Sequence, residues 1–400
     1  MKKYKVGFVG AGERSVCYAK AYASCPEIEI AAVADINPHH RRAMAVQSGL
    51  TTAFAEHDDW RELLRYDLDG VVITTPNHLH REMAIPFIEK GVTVALEKPM
   101  TTTMGDSEAI LDAARQHQVR LLIGFVLRST PFYRKIHELI SSGAIGRVVA
   151  VETNELAGRG ESSTISRRPW RRYERFSGGS LMEKSCHDMD LLNWLTGSRP
   201  VAVNSFGGSL VFNPNPLLPD HCADCDRKDC AYRPDGEELD AAGNLRPGCY
   251  ESDAHCCIYN VDKDVVDNQN LNIQYANGTV ATFLMSFNCA GPMATRNFHA
   301  IGQKGRVWGN FEAHEVFHYD NLSGKLSRFD TAGDGTGHGG GDANHARELL
   351  HMMQDPAYLP AQDAYSGYLG NAICLAADMS RREQRQVKFR YDARGVVSFD

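Results

Sequence analysis

The stretch KVGFVGAGERS, residues 5–15, constrains this chain more than any other. A short apolar run ends in Gly10-Ala11-Gly12, and a stretch of helical character follows from about Arg14 to Ser24. Strand, glycine turn and helix in that order open a dinucleotide-binding βαβ unit. Gly10 permits the tight turn, and Gly12 lets the backbone approach a pyrophosphate held at the helix N-terminus. Ser15 stands where a third Gly or Ala is more usual, and it joins Glu13 and Arg14 as a candidate cofactor contact in the first turn. IEIAAVAD supplies a second strand ending at Asp35. A carboxylate there suits the adenosine ribose hydroxyls and repels a 2′-phosphate, which favours NAD over NADP. The bland alternative is a glycine turn in some other α/β protein.

Further βα units follow. GVVITT is a strand, PNHLHREMAIPFIEKG a helix closed by Gly91, VTVALEK a strand, SEAILDAARQHQ a helix and VRLLIGF a strand. Strands alternating with helices of this length imply a parallel, doubly wound sheet, with ligands beyond the strand C-termini. Those ends carry Asp35, Thr75-Pro76-Asn77 with His80 just beyond, and Glu97-Lys98-Pro99. Lys98 is the candidate for chemistry, since a lysine beside a nicotinamide is open to tuning by burial and neighbouring charge. The competing reading is a solvated loop lysine.

At about 150 residues per domain, 400 residues suggest two or three domains. The expected division is an NAD-binding domain over 1–127 and a substrate and oligomerisation domain over 128–400, with a Cys-rich insertion at about 213–262. A net charge of -7 argues against a nucleic-acid surface or an anionic-membrane surface, which need clustered positive charge. No apolar run approaches the roughly 18 residues of a membrane span. The start MKKYKVGFVGAG reads as a strand rather than a signal peptide, so cytoplasm is the expected compartment.

The second half opens with the helix PFYRKIHELISSGAIG and the strand VVAVETNE. From Ala202 the pattern turns antiparallel: LNIQY alternates, Asn277-Gly278 makes a hairpin turn, and TVATFLMSF returns. Asn297–Gly302 and Arg306–Gly309 flank a Lys304-Gly305 turn. A large, mainly antiparallel open sheet is the plain expectation.

Within this half, EKSCHDMD at residues 183–190 follows Gly178-Gly179 and precedes Leu191, Leu192, Trp194 and Leu195, with Gly197 placed as a helix C-cap. It is therefore the first turn or two of a helix, with Glu183, His187 and Asp190 on one face. A histidine there suits acid/base work on a hydroxyl that loses hydride, with Asp190 orienting the imidazole. The alternative is a polar helix cap facing water.

Six of the eleven cysteines crowd between Cys222 and Cys257. Cys222, Cys225 and Cys230 have metal-knuckle spacing, and Cys257, Cys256 or Cys249 could complete a closed tetrahedral zinc site of structural type. Such a clip would stabilise a long polar loop with little apolar area to bury. Disulfides are the competing reading. Arg159, Arg167, Arg168, Arg171, Arg172 and Arg175, with Trp170 and Tyr173 among them, lead into the EKSCHDMD helix. Their forked guanidinium groups suit an anionic substrate, against a solvated or subunit-facing loop. Arg128, Arg168, Trp170, Arg171, Arg172, Asp190 and His338 are the substrate candidates. In GHGGGDANHA, glycines bring His338 and Asp342 to a helix start.

Together GAGERS, TPNHLH, EKP and HDMDLLNWLTG resemble the glucose–fructose oxidoreductase / inositol dehydrogenase / MocA (Gfo/Idh/MocA) family over nearly the whole chain. The resemblance implies a Rossmann domain followed by an α/β domain whose open sheet carries substrate and often packs subunits, hence a homo-oligomer, dimer or tetramer. It also implies catalytic positions at the EKP lysine, Lys98, and at an acid-x-x-x-His pair, Glu183 and His187, where many members have Asp in place of Glu. Sugar-acting members carry similar His-Gly-Gly-x-Asp segments. The expected activity is NAD-dependent oxidation of a ring hydroxyl, at C3, of a sugar, glycoside or inositol. The alternative is an NAD-recycling glycosidase acting on an anionic glycoside such as a sulfoquinovoside. A nucleotide-sensing protein without turnover is the third reading, and the presence of both Lys98 and His187 argues against it.

Overall fold

A computed structural model describes residues 2–50, 53–233, 255–333 and 340–400. The described residues divide into two compact units. One comprises 2–126 with 340–368, and the other 127–233, 255–333 and 369–400.

The first unit carries a six-stranded, all-parallel sheet of order β3-β2-β1-β4-β5-β6. Its strands are β1 (Tyr4–Val9), β2 (Ile28–Ala34), β3 (Ala55–His57), β4 (Gly70–Ile73), β5 (Thr93–Leu96) and β6 (Leu121–Ile123). Helices α1 (Glu13–Ala23), α2 (Pro38–Gln47), α3 (His80–Glu89) and α4 (Met104–His117) alternate with them. Strands covered on both faces read as continuous apolar runs, and β4 and β6 are buried at every residue. Strand order reverses between β1 and β4, and the carboxyl ends of those strands flank the point where such sheets bind ligands.

In the second unit, α5 (Pro131–Ser141) starts from a Thr130 N-cap with Pro131 in the first turn. It buries Phe132, Tyr133, Ile136 and Leu139, one stripe at helical spacing. Then come β7 (Val148–Leu156), α6 (Arg159–Arg167), α7 (Glu174–Ser177), α8 (Ser180–Thr196) and β8 (Pro200–Gly208). Strands β9 (Asn268–Tyr275) and β10 (Val280–Ser286) form the hairpin that the Asn277-Gly278 turn foretells, with Gly278 at φ +84°. They are followed by β11 (Asn297–Gly302), β12 (Gly305–Asn310), β13 (Glu315–Asp320) and β14 (Leu326–Asp330). With β15 (Val387–Tyr391) and β16 (Val397–Phe399) from later in the chain, the resulting ten-stranded sheet has the order β14-β13-β12-β11-β7-β10-β9-β8-β15-β16. It is antiparallel throughout except where β7 lies parallel to β10.

The chain next returns to the first unit as α9 (Gly341–Gln354), whose Ala346, Leu349, Leu350 and Met352 join the core around Phe8, Tyr18 and Tyr22. Nothing in the local pattern of 340–354 signals that destination, because an amphipathic helix does not record which apolar face it will meet. Helix α10 (Ala364–Glu383) precedes β15 (Val387–Tyr391) and β16 (Val397–Phe399), which close the second sheet.

Candidate active site

In the first unit the chemistry gathers at the carboxyl ends of β1, β2, β4 and β5. Gly10 has φ +92°, and a Cβ there would press on Thr74 at 3.1 Å, so the turn requires glycine. Gly12 is the N-cap of α1 and has open space where a Cβ would stand. The first-turn N–H groups thus have no side-chain cap and suit a diphosphate. Ser15 does a different job from the one expected. Its buried hydroxyl donates to Gly10 O at 2.7 Å and lies 2.5 Å from Thr74 Oγ1, so it braces the glycine turn from within instead of facing a phosphate.

Asp35 accepts from the backbone N–H of Ala11 at 2.7 Å and of Asn37 at 2.8 Å, with His40 Nδ1 3.4 Å away. Burial pushes its carboxyl up, but these contacts outweigh it and hold the group below the usual carboxylate range. Asp35 is therefore an ionised acceptor fixed against the glycine turn, the arrangement that a ribose diol needs. His80 is buried, with Nδ1 2.9 Å from Pro99 O and Nε2 2.9 Å from Thr75 O. It ties the Thr75-Pro76-Asn77 loop to the Lys98–Pro99 turn, whose peptide is cis, and burial holds its pKa below the ordinary histidine value.

Glu97 is a hub. Its Oε1 accepts from Arg14 Nε at 2.6 Å and from the Tyr18 hydroxyl at 2.9 Å, and its Oε2 accepts the Lys98 backbone N–H at 2.6 Å. Burial raises its pKa, yet Arg14 and Lys98 together carry it below the usual value. Arg14 reaches Asp342 with its other end, at 2.7 Å. Two expected cofactor contacts, Arg14 and Glu97, are thus joined to each other. Lys98 itself is half-buried, while Glu13 is exposed.

In the second unit α8 begins at Ser180, ahead of EKSCHDMD, and ends at Gly197 with φ +58°. The stretch is not a polar cap facing water. Of its eight residues all but Lys184 are buried. Buried charge must be paired, and each charged residue has a counter-ion. Glu183 Oε1 lies 3.2 Å from Arg171 Nε. Lys184 Nζ lies 3.6 Å from Glu155 and also contacts Glu161. Asp188 Oδ1 accepts from Arg296 Nε at 3.0 Å, and Arg296 also meets Glu155. Asp190 takes both arms of Arg128, at 2.7 and 2.5 Å.

Arg128 and Asp190 form one buried bidentate bond, a partner for Asp190 that the spacing of the helix does not announce. Arg128 also sits 5.4 Å over Trp194, against which His137 stacks at 4.0 Å. His187 is buried on α8, four residues from Glu183 as the spacing requires.

The arginine run is largely absorbed by the protein. Arg167 is buried, Arg171 pairs with Glu183 and lies 4.9 Å over Trp170, and Arg172 donates to Arg167 O at 3.1 Å. Arg175 lies over Tyr173 and Phe176, and Arg168 is half-buried. His338 lies outside the described residues.

Cys222, Cys225, Cys230 and Cys257 line one small cavity, so the spacing correctly groups them. The same cavity is lined by Arg167, Arg227 and Arg233. All four thiols are free, and among the described residues no three or more His, Cys, Asp or Glu side chains are arranged to hold a metal ion. The structural zinc expected from the spacing therefore finds no support. The physical reason is Arg167, which donates to Cys256 O and Tyr232 O at 2.7 Å each and lies 3.8 Å from Cys222 Sγ. A fixed guanidinium among the thiols already supplies a cation and opposes a second. Cys249 lies outside the described residues.

The fold and these residues define an oxidoreductase with an NAD-binding domain. Residues 4–125 match the oxidoreductase family with NAD-binding Rossmann fold, and residues 133–308 match the GFO/IDH/MocA C-terminal domain. The chain belongs to the GFO/IDH/MocA oxidoreductase family. Among relatives, it is 27% identical to the putative oxidoreductase YteT of Bacillus subtilis over 80% of each chain. It is also 27% identical to the levoglucosan dehydrogenase of Pseudarthrobacter phenanthrenivorans, over 78% of this chain and 75% of that protein. Inositol 2-dehydrogenase of Rhizobium meliloti is 28% identical over 52% of this chain and 59% of that protein. A levoglucosan dehydrogenase solved with NADH and levoglucosan shares the fold with a TM-score of 0.77 at 22% identity, covering 97% of this chain and 99% of that one. Among the described residues no helix is long and apolar enough to cross a membrane.

Proposed function

We propose that this enzyme oxidises a ring hydroxyl, at C3, of a sugar, glycoside or inositol. The observation that carries the proposal is the buried, charge-balanced α8 holding His187, in a chain whose other unit holds Lys98 just beyond the carboxyl end of β5. Bound NAD supplies the hydride acceptor. Gly10, Gly12 and Asp35 would hold it, with Thr75, Pro76 and Asn77 at the neighbouring strand end. His187, with Glu183, and Lys98 are the groups proposed to take and return the hydroxyl proton, a role worth about 10²–10⁴ in rate. Support for a polyol substrate comes from relatives named for levoglucosan and inositol. With Arg167, Arg171 and Arg172 engaged by the protein, a neutral substrate is favoured over an anionic one.

The second reading is a redox-neutral glycosidase that recycles NAD through oxidation, elimination, water addition and reduction. It gains weight from a relative named 2,7-anhydro-N-acetylneuraminate hydratase, 31% identical over 147 residues. One experiment separates them: neutral and anionic glycosides with NAD in D2O, followed by NMR and by NADH absorbance. Stoichiometric NADH with the glycosidic bond intact supports the dehydrogenase. Released aglycone with deuterium at C2 and no net NADH replaces it with the glycosidase. Self-association as a dimer or tetramer is proposed through the second sheet, whose strands β10 and β11, on either side of β7, expose Val280, Leu284 and Ile301. Light scattering showing only monomer at micromolar concentration would exclude it.

A further inference from the structure

The start of α9 is built more tightly than a solvent-facing glycine turn needs. Gly340 has φ +92°, and a Cβ on Gly341 would meet Val126 O at 2.6 Å. What this close approach delivers is Asp342, a buried carboxylate 2.7 Å from Arg14 Nη2. Arg14 passes the contact to Glu97, and Glu97 passes it to the Lys98 backbone N–H. The surroundings hold each link in place. Arg14 lies 3.9 Å over the Tyr18 ring, and His345 stacks on that ring at 4.3 Å with an interplanar angle of 18°. His345 Nδ1 stands 3.2 Å from the Tyr22 hydroxyl. Gly124 closes the remaining side, since a Cβ there would come within 2.9 Å of Tyr18 Oη and 3.0 Å of Glu97 Oε1. Segments from α1 and the ends of β5 and β6 therefore converge on Glu97, and α9 reaches it through Arg14 and Tyr18.

The chemistry of the links matters. An exposed ion pair contributes little, but these are charge-assisted bonds with both carboxylates buried, where removal of a partner is strongly felt. Arg14 occupies the first turn of α1, a natural place to meet a phosphate, yet two arms of its fork are committed to carboxylates. Asp342 thus determines where Arg14 points, and Arg14 determines where Glu97 points.

We propose that Asp342 is a positioning residue for the β5 loop: through Arg14 and Glu97 it fixes the backbone of Lys98. The inference rests on the role proposed for Lys98 and adds to it a residue more than 240 positions away in sequence. It also gives the glycine-rich segment a function, delivery of a buried carboxylate, that its composition alone does not reveal.

The test uses the full chain with Asp342→Asn, Arg14→Gln and the double variant. Three quantities are measured: the labelling rate of the Lys98 amine by an acylating reagent, read by peptide mass spectrometry with and without NAD; kcat and KM on whichever sugar is turned over; and the melting temperature. Asp342→Asn is expected to change Lys98 labelling severalfold while the other lysines keep their rates. It should lower kcat about 10- to 100-fold, the scale of a small misplacement, with sugar KM within about threefold. The double variant should be no worse than the poorer single one, because both break the same chain of contacts. A lower melting temperature with Lys98 labelling and kcat unchanged would assign Asp342 a merely structural role and overturn the proposal, as would fully additive losses. If no sugar is oxidised by the unmodified enzyme, the functional reading fails on its own, and the labelling arm, which needs no substrate, still decides this one.

Discussion

Two arginines, one in each unit, are clasped by two carboxylates beside a candidate proton-handling group. Arg14 lies between Glu97 and Asp342, and Glu97 precedes Lys98. Arg296 lies between Asp188 and Glu155, and Asp188 follows His187. The charge count is the same, yet the outcomes differ. Glu97 collects further donors, the Tyr18 hydroxyl and the Lys98 amide, and its carboxyl stays below the usual range. Asp188 has burial, which raises its pKa, and Glu155 repels it, so that Arg296 does not restore it and the carboxyl is pushed up to about 7. Its Oδ2 has no hydrogen-bond partner among the described residues. The difference lies in the neighbours: the Lys98 charge and the Arg14 and Tyr18 hydrogen bonds favour ionised Glu97, whereas the like charge of Glu155 opposes ionised Asp188.

The largest effects should fall on the groups these clasps serve. Lys98→Met and His187→Ala should each reduce turnover by about 10²–10⁴ while NAD binding by calorimetry is retained. Normal turnover in either variant removes that residue from the mechanism. Next come the arginines. Arg296→Met leaves two buried carboxylates facing each other and should cost about 3–5 kcal/mol in urea unfolding. Arg14→Met, at a side chain still 21% exposed, should cost about 1–3 kcal/mol. Equal losses would mean that burial does not separate the two clasps.

The pH dependence sharpens the contrast further. His345 is buried and held down to about 4, by desolvation first and by Arg14 second. Its folded value lies below the unfolded one, about 6.5, so its contribution is complete above pH 6.5 and is lost as pH falls towards 4. The loss is on the order of 3 kcal/mol. Asp188 runs the other way. Its raised folded value favours the fold at low pH, a contribution lost as pH rises from about 4 through 7. Hydrogen exchange read by peptide should therefore show the α1–α9 region loosening in acid, and His345→Gln should flatten that trend. Parallel pH profiles in both units would refute the opposition. The smallest effect is expected at Arg167→Met: losing the guanidinium whose charge lowers the Cys222 pKa should slow reaction of that thiol with a disulfide reagent. Unchanged thiol reactivity would show that the Arg167 charge does not act on Cys222.

What was legible in the sequence was what local rules encode. Gly10 and Gly12, the alternating βα units and the Asn277-Gly278 hairpin all state their geometry within a few residues. The placement of Glu183 and His187 on one helix followed from spacing. The partners did not. Asp190 finds Arg128 across 62 residues, Asp188 finds Arg296 across 108, and Arg14 finds Asp342 across 328. No periodicity records such pairings. The cysteines illustrate the reverse case. Their spacing brought four thiols to one cavity, but the arginine that shares it lies some 55 residues before the first of them.

The single parallel pairing in the second sheet has a consequence for how the protein is made. Strand β7 has two neighbours, β10 and β11, and both lie far downstream: Ala150 pairs with Val280 on one side and with Ile301 on the other. A ribosome adding about 5–20 residues per second leaves that strand with both edges bare for roughly 7–30 s. The first unit's sheet, by contrast, is complete by Ile123. A nascent chain thus carries a complete set of parallel strands and, behind it, a strand with two unpaired edges awaiting both partners, so pairing of β7 must wait for the chain that follows it.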